Sequence, residues 1–351
     1  MKRVTWTPRS IVSASMPILA LSILTCVPVV SAEELPVTPR VKVDVGLGTW
    51  ISVGDHRWSH NASSQSPLGN PTSRLTYADH STNVVEFTAK VSVGPRWFGR
   101  LNIGGAGIGG GRLTDDDFLT PDGGNPSLRT HSDIDGSNMW YVNADAGSRL
   151  MNFPNGRGTL DGLVGFQYWH QKHKAYGVRQ EICSNAGATV DLDPITPGVQ
   201  PLCALGAAPI ANTELVITND SNWYSIRTGL QSEYRLTRWL SVYGSAVLKP
   251  INIFTNEDTH ELRVAGRVVG GDLQDPSFTM FGFGFGADAD VGGKVNFTKQ
   301  LAAQVGYRVW WNRMIDGTWK NHLADGRSFS FPLVEMQSLR HGLTFGITYS
   351  F

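Results

Sequence analysis

A chain of 351 residues, 41% hydrophobic and 17% charged, could form one large or two ordinary globular domains, so length alone decides little. Its 30 basic and 30 acidic residues give a formal net charge of +0, which offers no basic field to nucleic acid. After the first 32 residues no stretch approaches ~18 uninterrupted apolar residues, which excludes a helical membrane protein and leaves strands as the means of crossing a bilayer.

At the N-terminus Lys2, Arg3 and Arg9 precede an apolar run over about 17–30, and Val30-Ser31-Ala32 supplies small residues for cleavage. This is the layout of a secretory signal peptide, so residues 1–32 are expected to be removed near Ala32 and 33–351 to form the mature domain. Removing the three basic residues leaves 27 Lys and Arg against 30 Asp and Glu. Cys26 fits a lipidated cysteine poorly, because Thr25 precedes it and the apolar run continues beyond.

Ten segments then alternate apolar with small or polar residues, over about 41–51, 84–93, 100–108, 139–150, 160–169, 223–234, 240–251, 279–291, 301–311 and 340–351. A period of two puts one apolar and one polar face on a strand, and its repetition along the chain is what the wall of a closed barrel requires. The run Phe281-Gly282-Phe283-Gly284-Phe285-Gly286 predicts rings outward and glycines inward. The last segment ends on Phe351 with Leu343, Phe345, Ile347 and Tyr349 on one face, similar to the assembly signal of bacterial outer-membrane barrels. Short connections at 95–98, 154–157, 235–238 and 298–300 separate long ones at 52–83, 109–138, 170–222, 252–278 and 312–339. Short turns are periplasmic and long loops external in such proteins. The expected fold is an all-β, ten-stranded antiparallel transmembrane β-barrel with long extracellular loops, in the bacterial outer membrane.

Trp97, Phe98, Trp169, Trp310 and Trp311 fall near segment ends and are expected to form an aromatic girdle. Lys42, Asp44, Glu86, Lys90, Asp145, Arg149, Asp161, Arg227, Glu233, Asp288 and Arg308 fall on the lumen face. In a narrow barrel such groups are expected to pair rather than line a pore, since a buried unpaired charge is costly. Cys183 and Cys203 share one polar loop, where an oxidising compartment favours a disulfide over catalytic use.

Two acidic clusters sit at outer strand ends: Asp115-Asp116-Asp117 after the third strand, and Asp258-Thr259-His260 after the seventh. Residues two apart in a strand point the same way, so Asp115 pairs with Asp117 and Asp258 with His260. A carboxylate beside an imidazole orients it as a base, and a facing carboxylate pair can hold a water. The spacing alone leaves open that the acids are merely solvated, or that they bind calcium.

The stretch Ile103-Gly104-Gly105-Ala106-Gly107 leading into Gly111-Arg112-Leu113-Thr114-Asp115-Asp116-Asp117-Phe118 resembles the third strand of the omptins, ten-stranded outer-membrane endopeptidases, with their Asp-x-Asp and aromatic. Residues 240–260 resemble the seventh strand running into the family's Asp-x-His, and weaker likeness covers 141–150, 162–167 and the last strand. The resemblance implies that Asp258 and His260 activate water, that Asp115 and Asp117 face them, and that no acyl-enzyme forms. The chain departs from omptins that cut between basic residues. Asn256 stands where they carry an acid, and a glutamate of their first loop falls near His56, with Asp55 adjacent. Without those acids a pocket for Arg or Lys is not expected. Phe166-Gln167-Tyr168-Trp169-His170 replaces the family's Tyr-x-Glu-x-Arg lipopolysaccharide pattern, so lipopolysaccharide is a possible but altered cofactor. No metal is called for. The expected partners are outer-membrane lipid and a peptide or protein substrate, and the competing expectation is a non-enzymatic surface, adhesion or narrow porin barrel on the same scaffold.

Overall fold

The computed structural model describes residues 41–65, 67–120, 123–190 and 200–351, so the signal peptide expected over 1–32 lies outside the described residues. In chain order the strands are β1 Val41–His60, β2 Ser73–Val93, β3 Trp97–Gly109, β4 Arg112–Asp117, β5 Leu128–Ile134, β6 Ser137–Asn152, β7 Gly158–Cys183, β8 Thr189–Val190, β9 Gln200–Pro201, β10 Ile210–Arg235, β11 Leu240–His260, β12 Leu273–Asn296, β13 Leu301–Leu323 and β14 Ser330–Ser350. Apart from the small β8–β9 ribbon, they form one antiparallel ring of ten walls. Two walls are interrupted: β3 and β4 make one, β6 and β5 another. β1 closes the ring by pairing with both β2 and β14, so that Leu47 lies opposite Phe87 on one side and Ile347 on the other. The β3–β4 interruption falls at Gly110 and Gly111, both with positive φ; a Cβ on Gly111 would stand 2.6 Å from the Ala78 carbonyl oxygen.

The alternation reads out on the wall as expected. Phe281, Phe283 and Phe285 are exposed to the lipid side while Gly282, Gly284 and Gly286 face in, where a Cβ on Gly284 would meet the Arg313 carbonyl at 2.0 Å. The long connections all lie at one end, but much of each is strand rather than loop. β1 runs on to His60 and β2 begins at Ser73, which leaves 61–72 as the connection instead of 52–83. The apolar outer pattern stops where lipid stops, whereas backbone pairing continues into the polar rim. Cys183 at the end of β7 is disulfide-bonded to Cys203, with Cα atoms 5.8 Å apart.

The expected aromatic girdle needs correction. Of the five proposed girdle residues only Trp97 and Trp311 face outward; Phe98, Trp169 and Trp310 are buried inside. Neighbours in a strand point to opposite faces, so one member of each pair Trp97/Phe98 and Trp310/Trp311 had to turn in. Lys42 and Glu233 lie on the lumen face near the short-turn end, half exposed and paired with Asp44 and Lys294.

Among the described residues the remaining lumen charges pair, except Lys90. Asp288 accepts from Lys249 at 2.6 Å and from Arg227 at 3.1 Å, Arg227 also reaches Asp145 at 3.2 Å, and Arg308 bridges Glu86 and Asp290. Arg149 holds Asp161 at 3.0 Å, and Lys90 lies over the Phe98 ring at 4.4 Å. Beside this network Trp50, Tyr141 and Trp169 pack around Trp310, with ring centroids 4.6 to 5.6 Å from its own. Trp50, Tyr141 and Trp169 have no solvent exposure. Salt network and aromatic plug together close the lumen, so single-channel recordings in planar bilayers should show almost no conductance; porin-like steps would refute the closure.

Candidate active site at the outer rim

The inward face of β11 carries Asn252, Phe254, Asn256 and Asp258, all buried. Asp258 has no solvent exposure, and its Oδ2 accepts hydrogen bonds from Asn219 Nδ2 of β10 at 2.9 Å and Tyr77 Oη of β2 at 3.4 Å. Its Oδ1 lies 3.1 Å from His260 Nε2, within ion-pair distance but with the ring turned out of line for a hydrogen bond. His260 closes β11: its backbone N–H donates to Ser277 Oγ at 3.0 Å, and its ring meets Phe278 edge-on at 4.9 Å. The imidazole is thus held from two sides and remains partly open to solvent.

Across the cleft, β4 pairs with β2 so that Asp115 lies opposite Leu75 and Asp117 opposite Ser73. Ser73 Oγ donates to Asp115 Oδ1 at 3.2 Å. Asp116 points the other way and is gripped by Arg129, Nε to Oδ1 2.6 Å and Nη2 to Oδ2 3.1 Å. The three carboxylates therefore do not converge on one point, and among the described residues no group of three or more His, Cys, Asp or Glu is arranged to hold a metal ion.

The electrostatics tie the two sides together. Burial, with the charges of Asp117 and Asp258, holds the Asp115 carboxyl well above the usual carboxylate range. Burial also raises Asp117, while Ser73, His260 and Arg263 pull it down. Asp115 thus feels Asp258, and Asp117 feels His260. The two pairs singled out from the sequence, on β4 and at the end of β11, thus lie within electrostatic reach of each other.

Several participants escaped the sequence reading. Ser73, Tyr77 and Asn219 hold the carboxylates, yet all three fell inside segments expected to be loop, where no face could be assigned. His60 is a fourth. It is buried, stacks flat on Trp319 with centroids 4.0 Å apart, and burial together with His260 lowers its pKa to about 3. It is therefore a neutral imidazole beside His260. Alternation from His56 through Trp58 would have placed it on the inner face had β1 been drawn to its full length.

The two residues expected near the specificity pocket are both buried, each with its own partners. Asn256 sits between Ser221 and Met280, with Nδ2 3.5 Å from the Met280 sulfur. His56 Nδ1 lies 2.8 Å from Ser338 Oγ, and its ring packs against His173 and Tyr77. Neither position offers a carboxylate. On β7, Gln167 points inward, whereas Tyr168 and His170 face out beside Trp140, Tyr224 and Asp220 at the upper edge of the lipid-facing band.

No family model matches the sequence, and no curated protein matches it. Among solved structures, the outer membrane protease OmpT from Escherichia coli superposes with a TM-score of 0.67 at 14% identity, covering 92% of this chain and 100% of that one. A Pseudomonas aeruginosa FadL homologue matches at a TM-score of 0.27 and 9% identity over 89% of this chain and 90% of that one, too low to carry an argument. The wall count, the closure of β1 on β14 and the OmpT superposition together make this an omptin-like β-barrel fold.

Proposed function

We propose that the chain is an endopeptidase of the bacterial outer membrane that cleaves peptide bonds by direct attack of water. The observation that supports this best is that Asp258 and His260 at the end of β11 lie within electrostatic reach of Asp115 and Asp117 on β4. In the reaction His260, oriented by Asp258, takes a proton from the water lodged against the facing pair, and the resulting hydroxide adds to the scissile carbonyl. The proton then passes to the leaving amine as the C–N bond breaks, so no covalent acyl-enzyme forms. Asn256 and His56 leave the neighbouring wall without an acid, so a cationic side chain next to the cleaved bond would be buried unpaired. The preferred residue is accordingly not Arg or Lys.

A peptide-library digest read by mass spectrometry, on refolded protein with and without lipopolysaccharide, tests the reading. Cleavage lost in Asp258→Ala and His260→Ala supports it and reports the preference. A correctly folded barrel that cleaves nothing would instead favour a non-enzymatic surface or adhesion role, a reading to which the complete burial of Asp258 lends some weight.

The raised carboxyl of Asp115 has a separate consequence for stability. Its charged form is disfavoured in the fold, so the cost is present above the raised pKa and vanishes once pH falls below the usual carboxyl value of ~4. Asp115→Asn should therefore raise the unfolding midpoint at pH 8, with the gain shrinking towards ~pH 4, while removing a member of the cleft. A midpoint that falls at pH 8 would contradict this.

A further inference from the structure

Beneath the cleft lies a group of buried donors that the proposed reaction does not use. Arg340 on β14 has no solvent exposure and, among the described residues, no carboxylate within ion-pair distance. Its Nη1 donates to two neutral oxygens, Ser52 Oγ at 3.1 Å and Thr82 Oγ1 at 2.8 Å. Its Nε and Nη2 are buried without a partner. The guanidinium lies across Gly54, where a Cβ would stand 2.8 Å from Nη2, so the wall is relieved of a side chain at that point. Asp55, the acid whose charge acts on Arg340, faces out of the barrel and accepts the backbone N–H of Asp79.

Three buried histidines adjoin it. Ser338 Oγ accepts from Gln171 Nε2 and Trp223 Nε1, each at 3.2 Å, so its own hydroxyl proton is left for His56 Nδ1. That makes Nδ1 the acceptor and puts the ring proton of His56 on Nε2, which has no partner. His80 and His173 face each other Nε2 to Nε2 at 3.3 Å; one must donate to the other, so one of the two unpartnered Nδ1 atoms carries a hydrogen. The Gln171 amide beside His80 can supply at most one acceptor, and Arg340's charge acts on both rings.

The balance decides what can satisfy this group. Water can accept from the free donors and pass its hydrogens to neighbouring carbonyls, but it brings no charge to set against a buried guanidinium. An anion brings acceptors only. We infer that the upper lumen binds a small monovalent inorganic anion of the halide type against Arg340, with the His56, His80 and His173 imidazoles around it. Such a site would seat a counter-charge inside the barrel and fasten β14 to β1 and β2 at the closure of the ring.

The probe is chloride, on the full refolded barrel in a zwitterionic detergent. Sodium chloride should raise the unfolding midpoint saturably over sodium gluconate at matched ionic strength, by roughly 3 °C or more, and the increment should vanish in Arg340→Met. Wild-type protein should also broaden the 35Cl NMR line, and added bromide should reverse the broadening. The NMR arm uses wild type alone and stands even if Arg340→Met does not fold. Equal midpoints in the two salts with no broadening would overturn the site, as would an increment that persists in Arg340→Met, which marks an adventitious salt effect only. Neither arm depends on peptide cleavage, so the site and the endopeptidase reading fail separately.

Discussion

Replacing His260 by Ala should lower kcat/KM for any peptide the barrel cleaves by about 10²–10⁴-fold, the range for loss of a positioned base. Asp258→Ala should cost a similar factor, and the double substitution little more than either, because the two act as one unit. The reason is geometric. Asp258 is fixed from behind by Asn219 and Tyr77, so its free oxygen can only address His260. Asp258→Ala also leaves those two donors without an acceptor, so its fold must be checked by heat-modifiable migration before its rate is read. A His260→Ala barrel that turns over peptide at the wild-type rate would remove the imidazole from the mechanism and leave Asp115 and Asp117 to explain the activity alone.

The second large effect is expected on stability, deep in the lumen. Asp288→Ala should destabilise the barrel by roughly 3–5 kcal/mol, because it strands a charge in a closed interior. Lys249 has no solvent exposure, and its ammonium is held by Asp288 at 2.6 Å and by Gln167 Oε1 at 3.1 Å. Arg227, the second donor to Asp288, would keep Asp145 and lose less. Removing both charges in Lys249→Met/Asp288→Leu should recover most of the loss, since an apolar pair of similar volume is often no worse than a buried ion pair. Urea unfolding in micelles, followed by tryptophan fluorescence, measures both. If the single and double variants lose equal stability, charge is not the cause and packing around Asp288 is.

Much of the architecture was legible because a barrel wall writes itself into sequence as a period of two. The Phe-Gly run on β12 and the run ending at Phe351 reveal strand, face and lipid side together, since only a side chain meeting lipid must be apolar. Both acidic pairs were likewise visible, as residues two apart at strand ends share a face whatever the rest of the chain does. Beyond the lipid the outer residues are free to be polar, the alternation fades, and 52–83 reads as loop although most of it is paired strand. Ser73, Tyr77 and His60 went unassigned for that reason.

The sequence by itself therefore determined the fold class, the inward and outward faces within the membrane band, and the two acidic pairs at strand ends, because these depend on spacing along one strand. Tertiary structure alone decided that β4 on one wall brings Asp115 and Asp117 opposite the end of β11, that Trp169 and Trp310 plug the lumen instead of ringing it, and that Arg340 lies among three histidines without an acid. Each of these depends on which strands become neighbours across the barrel. That is set by ring closure and register between residues as far apart as Ser52 and Arg340, a separation that no local pattern encodes.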